Sequence, residues 1–143
     1  MKVKIRLLQA VPELPELESV EPHEEVEVEE WTARTLIRKG MAEPVGVPDL
    51  VELKRLILAE ERSRELRELP EDFIPKLFLA LSAPDQAQLL KAVEELMEIR
   101  VQKILAAFPH RDKNMLPEEV RLLNLMEADF ESWKEELKRG TNP

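Results

Sequence analysis

The chain has 143 residues, 36% of them charged, with a formal net charge of −9, three glycines and no cysteine. The absence of cysteine excludes disulfides and thiolate metal sites, and the acidity sets the molecule as a whole against phosphate, so only a local basic patch could make it a nucleic-acid binder. The sequence contains no apolar run near the roughly 18 to 20 residues a bilayer span needs, and the basic start meets Pro12 and Glu13 too soon for a signal peptide, which leads us to expect a cytoplasmic protein with no membrane attachment.

Residues 1–9 alternate, with Lys2, Lys4 and Arg6 on one side and Val3, Ile5 and Leu7 on the other, the period of a half-buried strand. Pro12, Pro15 and Pro22 then predict a loop. Glu25 to Glu29 alternates again, with Val26 and Val28 turned inward. From Glu30 the period becomes helical, and Trp31, Leu36 and Ile37 are expected to join Val26 and Val28 in the core of this unit. Gly40 follows basic residues at the place of a left-handed helix cap, and Met41 to Val47 reads as a short returning strand. Pro44, Gly46 and Pro48 interrupt both periods, which places a domain boundary and hinge near residue 47.

Asp49 with Glu52 three residues later marks a helix start, and Leu50, Leu53, Leu56 and Ile57 form its buried stripe. The charged stretch Glu60 to Glu68 is expected to continue this helix as a solvated face until Pro70 ends it. A third helix spans about 72–81, with Phe73, Ile74, Leu77, Phe78 and Leu81 on one face. The longest and most apolar segment, residues 86–108, carries two adjacent stripes. One is Leu90, Val93, Met97, Val101, Ile104 and Phe108, and the other is Leu89, Ala92, Leu96, Ile99 and Ala106. Ser82 and Asp85 are expected to cap it, and the other helices to pack around it. Pro117, Glu118 and Glu119 open a last helix whose stripe is Leu123, Met126, Phe130, Trp133 and Leu137, with Gly140 at its close.

The fold expected is mainly α, with a small N-terminal α/β part: a β-rich domain over 1–47 followed by a helical bundle over 48–143.

The search for chemistry returns little. His110, Arg111 and Asp112 match three letters of a kinase catalytic loop, but the Asn comes too early and no glycine-rich loop, strand lysine or DFG accompanies them, so they read as a turn between helices. His23 beside Glu24 and Glu25 falls short of the three or four converging groups a metal site needs. No nucleophile, phosphate loop or cofactor motif is present, and we expect neither enzyme activity nor a cofactor. Arg100 and Lys103, set among apolar neighbours, can either pair with glutamates inside the bundle or cross a subunit interface. Met97, Arg100, Val101, Lys103, Ile104, Leu123, Met126, Phe130 and Trp133 are therefore the candidates for bundle core or subunit contact.

Three blocks of the sequence carry a resemblance. Val26, Glu27 and Val28, followed by Trp31, Ala33 and Leu36, look like a strand-to-helix junction of pattern V-E-V-P-x-W-x-A, with Glu29 in the place of Pro. Arg100, Lys103 and Ile104 are similar to R-x-x-K-[IL] on a central helix. Asn114, Met115, Leu116 and Glu119 are similar to N-L-[ST]-x-x-E at the entry to a last helix, with Leu116 where Ser or Thr is usual. In this order and spacing the chain resembles the GINS family, in its archaeal form with the small B domain preceding the helical A domain. The resemblance implies a scaffold subunit of the replisome: a tetramer formed with a sister subunit of reversed domain order, linking the replicative MCM helicase to a RecJ/Cdc45-like protein, with primase as a further partner. It would act at the archaeal replication fork. The alternative is an acidic helical regulator that binds DNA or serves as a nucleic-acid-associated adaptor, against which the net charge argues.

Overall fold

The computed structural model describes residues 1–141. Among them are three strands, β1 (Lys2–Leu7), β2 (Glu25–Glu29) and β3 (Ala42–Pro44), and five α-helices. The helices are α1 (Glu30–Arg38), α2 (Leu50–Glu61), α3 (Phe73–Leu81), α4 (Ala87–Ala106) and α5 (Pro117–Thr141). The fold is thus mainly α with a small antiparallel sheet at the N-terminus, of strand order β2-β1-β3.

Charge and hydropathy agree on the register of that sheet. Val3 lies opposite Val28 and Ile5 opposite Val26, while Lys2 faces Glu29, Lys4 faces Glu27 and Arg6 faces Glu25. A slip of one residue would turn Ile5 and Val28 to solvent and set lysines against valines, so one face specifies the pairing by burial and the other by opposite charge. Arg6 also reaches across to β3, at 2.7 Å from Glu43, and that hydrogen bond holds its guanidinium still further toward the charged form. Between β1 and β2 the chain turns through His23, whose φ of 72° lies in the left-handed region and whose amide donates to the Leu7 carbonyl. Gly40 supplies the expected left-handed residue after α1, with φ of 75°.

A first core gathers Ile5, Leu7, Val28, Ala33, Leu36 and Ile37 around loop residues Val11 and Leu17. Val26 packs on it half-buried. Trp31 does not belong to it: its ring is 78% exposed. At about 100° per residue, Ala33, Leu36 and Ile37 define one side of α1, and Trp31 falls on the opposite side. The hydropathy of a Trp suggested burial; the angular position of the smaller Ala33 decided which face turned inward.

The second core joins α2, α3 and α4 through Leu53, Ile57, Phe73, Leu77, Leu89 and Leu96. Helix α3 serves both cores, because Leu79 enters the first while Phe73, Leu77 and Ala80 enter the second. For that reason its buried face is not the expected one, and Phe78 stands exposed. Val47 also touches both clusters, and the Val45 amide donates to the Lys4 carbonyl, so the joint between the two parts is held against the sheet.

Three helix ends differ from expectation. The Asp49 carboxylate caps α2 by accepting from the Glu52 amide at 2.8 Å, but the helix stops at Glu61 instead of running to Pro70. The carbonyls of Glu65, Leu66 and Arg67 accept from side chains of α4 and the connector that follows it, in place of amides of a next helical turn. At the start of α4, Ser82 does not cap: its hydroxyl donates to the Phe78 carbonyl of α3, and Gln86 stands at the cap position with a side chain that caps nothing and donates instead to the Pro84 carbonyl. Gly140 lies within α5 and does not end it.

Candidate functional site

The buried stripe of α4 is Leu89, Ala92, Leu96, Arg100 and Ile104. Spacings of 3, 4, 4 and 4 put the Arg100 guanidinium where a leucine would otherwise sit, and it is 0% exposed. A charge so placed survives only if fully paired and hydrogen-bonded. Here it is. Nε donates to Glu119 Oε2 at 2.9 Å and one terminal nitrogen to Glu119 Oε1 at 2.8 Å, a bidentate pair. The same nitrogen donates to the Asn114 carbonyl at 3.0 Å. The other terminal nitrogen donates to Glu60 Oε2 at 3.1 Å and to the Arg67 carbonyl at 2.8 Å. A guanidinium has five N–H groups, and these five bonds use all of them.

The partners are satisfied in turn. Glu60, 1% exposed at the end of α2, accepts from Lys103 at 2.7 Å and from the Arg67 amide at 3.1 Å through Oε1. Lys103 spends its remaining donors on the carbonyls of Glu60 and Glu65. Glu119 Oε1 also accepts from the Leu116 amide at 2.8 Å, which is the acidic half of a capping box at the start of α5. Leu116 supplies no hydroxyl for the other half. The Asn114 side chain donates to the Leu66 carbonyl, completing the closure of residues 62–72 over this end of the bundle. Two cations and two carboxylates balance, and among the described residues no buried side-chain nitrogen or oxygen lacks a partner.

This network joins the end of α2, the stretch that follows it, α4, the connector after α4 and the first turn of α5. It is a clamp: every proton on Arg100 and Lys103 is committed, which leaves none for a ligand. Arg100 therefore pairs inside the bundle and does not reach an interface, while Lys103 is half-buried beside it. Sequence reasoning named the two cations but not Glu60, which it read as part of a solvated charged face. The signal was available, since an arginine on the most buried stripe of a helix requires carboxylates.

The other candidates divide by depth. Ile104 and Leu123 are buried together with Leu66, whereas Met97, Val101 and Met126 are half-buried. Phe130 and Trp133 are not core: they are 42% and 59% exposed. Helix α5, about 37 Å long for its 25 residues, meets the body through its first turns, at Glu119 and Leu123, through an Arg111–Glu127 ion pair of 2.7 Å and through the Phe108 ring 6.3 Å from that of Phe130. Beyond that point the Trp133 ring lies tilted against Phe130 of its own helix, 6.1 Å between centroids, and Leu137 is 57% exposed. The ion pairs there, Lys134–Glu131 and Lys138–Glu135, also lie within the helix. A seam of Met126, Phe130, Trp133 and Leu137 thus runs along a helix that leaves the bundle.

The remaining motifs have local roles. Asp112 accepts from the Asn114 amide at 2.7 Å and shapes the connector turn, and His110 is exposed. Among the described residues no group of three or more His, Asp or Glu is placed to hold a metal ion, and no helix is long and apolar enough to cross a membrane. No protein-family model matches the chain, and no curated protein matches it.

Proposed function

We propose that this chain is a non-enzymatic assembly subunit of GINS type, acting in the cytoplasm at the archaeal replication fork to link an MCM helicase with a RecJ/Cdc45-like protein. The observation that carries the assembly reading is the α5 seam: Phe130, whose ring meets Phe108 on one side only, and Trp133 and Leu137 beyond it, spaced 3 and 4 apart, stand exposed along one side of the helix among the described residues. Contiguous exposed apolar surface of this kind marks an interaction site, and the spacing suits a second long helix laid nearly parallel. Two of the three sequence blocks behind the resemblance, Arg100 with Lys103 and Asn114 with Glu119, meet in the clamp that sets the angle at which α5 leaves the body. Residues far apart in sequence thus share one task, which is to present that helix.

In this reading the sister subunit of reversed domain order covers the seam, two such pairs form the tetramer, and the buried area at the contact exceeds about 1,000 Å². With a net charge of −9 the subunit alone binds DNA weakly, and contacts to primase and helicase are made by the assembled particle. The test is the native mass of the chain, alone and co-expressed with candidate sister subunits. A tetrameric particle is expected. A chain that remains a monodisperse monomer at micromolar concentration with every candidate overturns the proposal.

A further inference from the structure

One flank of α1, bordering the first core at Leu36, carries an exposed tryptophan beside basic residues. Trp31 is 78% exposed and, with Leu14, Leu36 and Met41, walls a pocket of about 310 Å³ between α1 and the proline-rich loop. Lys39 also lines this pocket, and Arg38 lies one helical turn from Thr35 and two from Trp31 on the same face of α1. Among the described residues neither Arg38 nor Lys39 has an ion-pair partner, although the chain carries 30 acidic residues. The acidic residue of the lining is Glu13, on the loop wall. Nothing in the fold requires Trp31 to be aromatic, since Ala33, Leu36 and Ile37 fill the core without it.

We infer that this pocket docks an acidic peptide segment of another protein, one large apolar side chain entering beside Trp31 and its flanking carboxylates meeting Lys39 and Arg38. Trp is among the side chains most enriched at interface anchors, and the two cations give the site a polarity. Glu13 directs the acidic flank of the peptide along α1 and away from the loop. This surface lies on the N-terminal unit and does not involve α5, so the inference stands or falls independently of the assembly proposed above.

The test uses the full chain with Trp133→Phe, leaving Trp31 as the sole tryptophan, and a library of capped peptides with a central Phe, Leu or Trp between Glu and Asp residues. Members bearing Phe or Leu should change the Trp31 emission saturably. In polarisation measurements on the labelled peptides, Trp31→Ala should weaken binding by about tenfold or more, and Arg38→Gln with Lys39→Gln by roughly fivefold at low salt, the second effect fading as salt rises. Since all three side chains are exposed, the variants should keep the helical content and melting behaviour of the parent. Peptides with Lys for Glu, or with Ala at the centre, should not bind. Equal binding of acidic and basic peptides, no loss in Trp31→Ala, or no saturable binding by any library member would overturn the inference. Trp31 emission that changes only with the concentration of the chain itself would also overturn it, in favour of a second copy as the occupant.

Discussion

Replacing Arg100 by Leu tests whether the clamp holds the helical part together. The substitution takes from Glu60 Oε2 and Glu119 Oε2 the donors they have among the described residues, and strands the carbonyls of Arg67 and Asn114. Glu119 Oε1 keeps the Leu116 amide, and Glu60 Oε1 keeps Lys103 and the Arg67 amide. Of the two carboxylates, 1% and 5% exposed, Glu60 then keeps the Lys103 ammonium, while Glu119 has lost its ion-pair partner. Removing one member of a buried ion pair costs about 3–5 kcal/mol, most of it from charge left without compensation. Against a typical total of about 5–15 kcal/mol, a loss of that size should appear as a large drop in the urea midpoint followed by circular dichroism. Arg100→Lys keeps the charge but offers three donors in place of five, and should cost roughly 1–3 kcal/mol. Adding Glu119→Leu to Arg100→Leu removes one stranded carboxylate, so the double variant should be less destabilised than the sum of the singles. Additive losses, or a cost for Arg100→Leu below about 1 kcal/mol, would refute the account of the clamp.

Asp49→Ala removes the side-chain acceptor of the Glu52 amide and should lower stability by about 1 kcal/mol in the same denaturation assay. Trp133→Gln should leave the melting curve of the free chain within about 0.5 kcal/mol of the parent, because the ring is 59% exposed, yet reduce recovery of the assembled particle in native mass measurements. A Trp133→Gln variant that assembles as the parent does would move the contact away from the α5 seam.

The parts of the fold that could be read from the sequence are those where one residue pattern admits one structure. Strands β1 and β2 alternate strictly, with basic residues on the outer face of one and acidic residues on the other, so strand type and inward face follow from local sequence, and the observed register sets those opposite charges against each other. Helix α2 begins at an Asp with Glu three residues on, and the carboxylate makes the bond that this spacing predicts. Local sequence does not decide the structure where a segment serves two neighbours at once. Helix α3 lies between two cores and buries Leu79 toward one and Leu77 toward the other, which no single-face reading of nine residues can express. Ser82 could cap α4 or close α3; the Phe78 carbonyl was already within reach of its hydroxyl, and α3 took it.

The clamp shows the same limit from the side of electrostatics. Local charge patterning made Glu60 to Glu68 look like a solvated helix, because interleaved Glu and Arg at helical spacing usually pair along one surface. That reading considers only neighbours in sequence, whereas the demand on this stretch comes from Arg100, forty positions from Glu60 and fully buried. Once a guanidinium occupies a core position, it needs five acceptors, and an α-helix extended through 62–69 would keep its carbonyls for its own amides. Ending α2 at Glu61 frees the carbonyls of Glu65, Leu66 and Arg67 for Lys103, Asn114 and Arg100. Helix length at this point is therefore set by the hydrogen-bond requirement of a side chain on another helix. A chain with Leu at position 100 and apolar residues at 60 and 119 would lose that requirement, and propensity alone would then favour carrying α2 on toward Pro70.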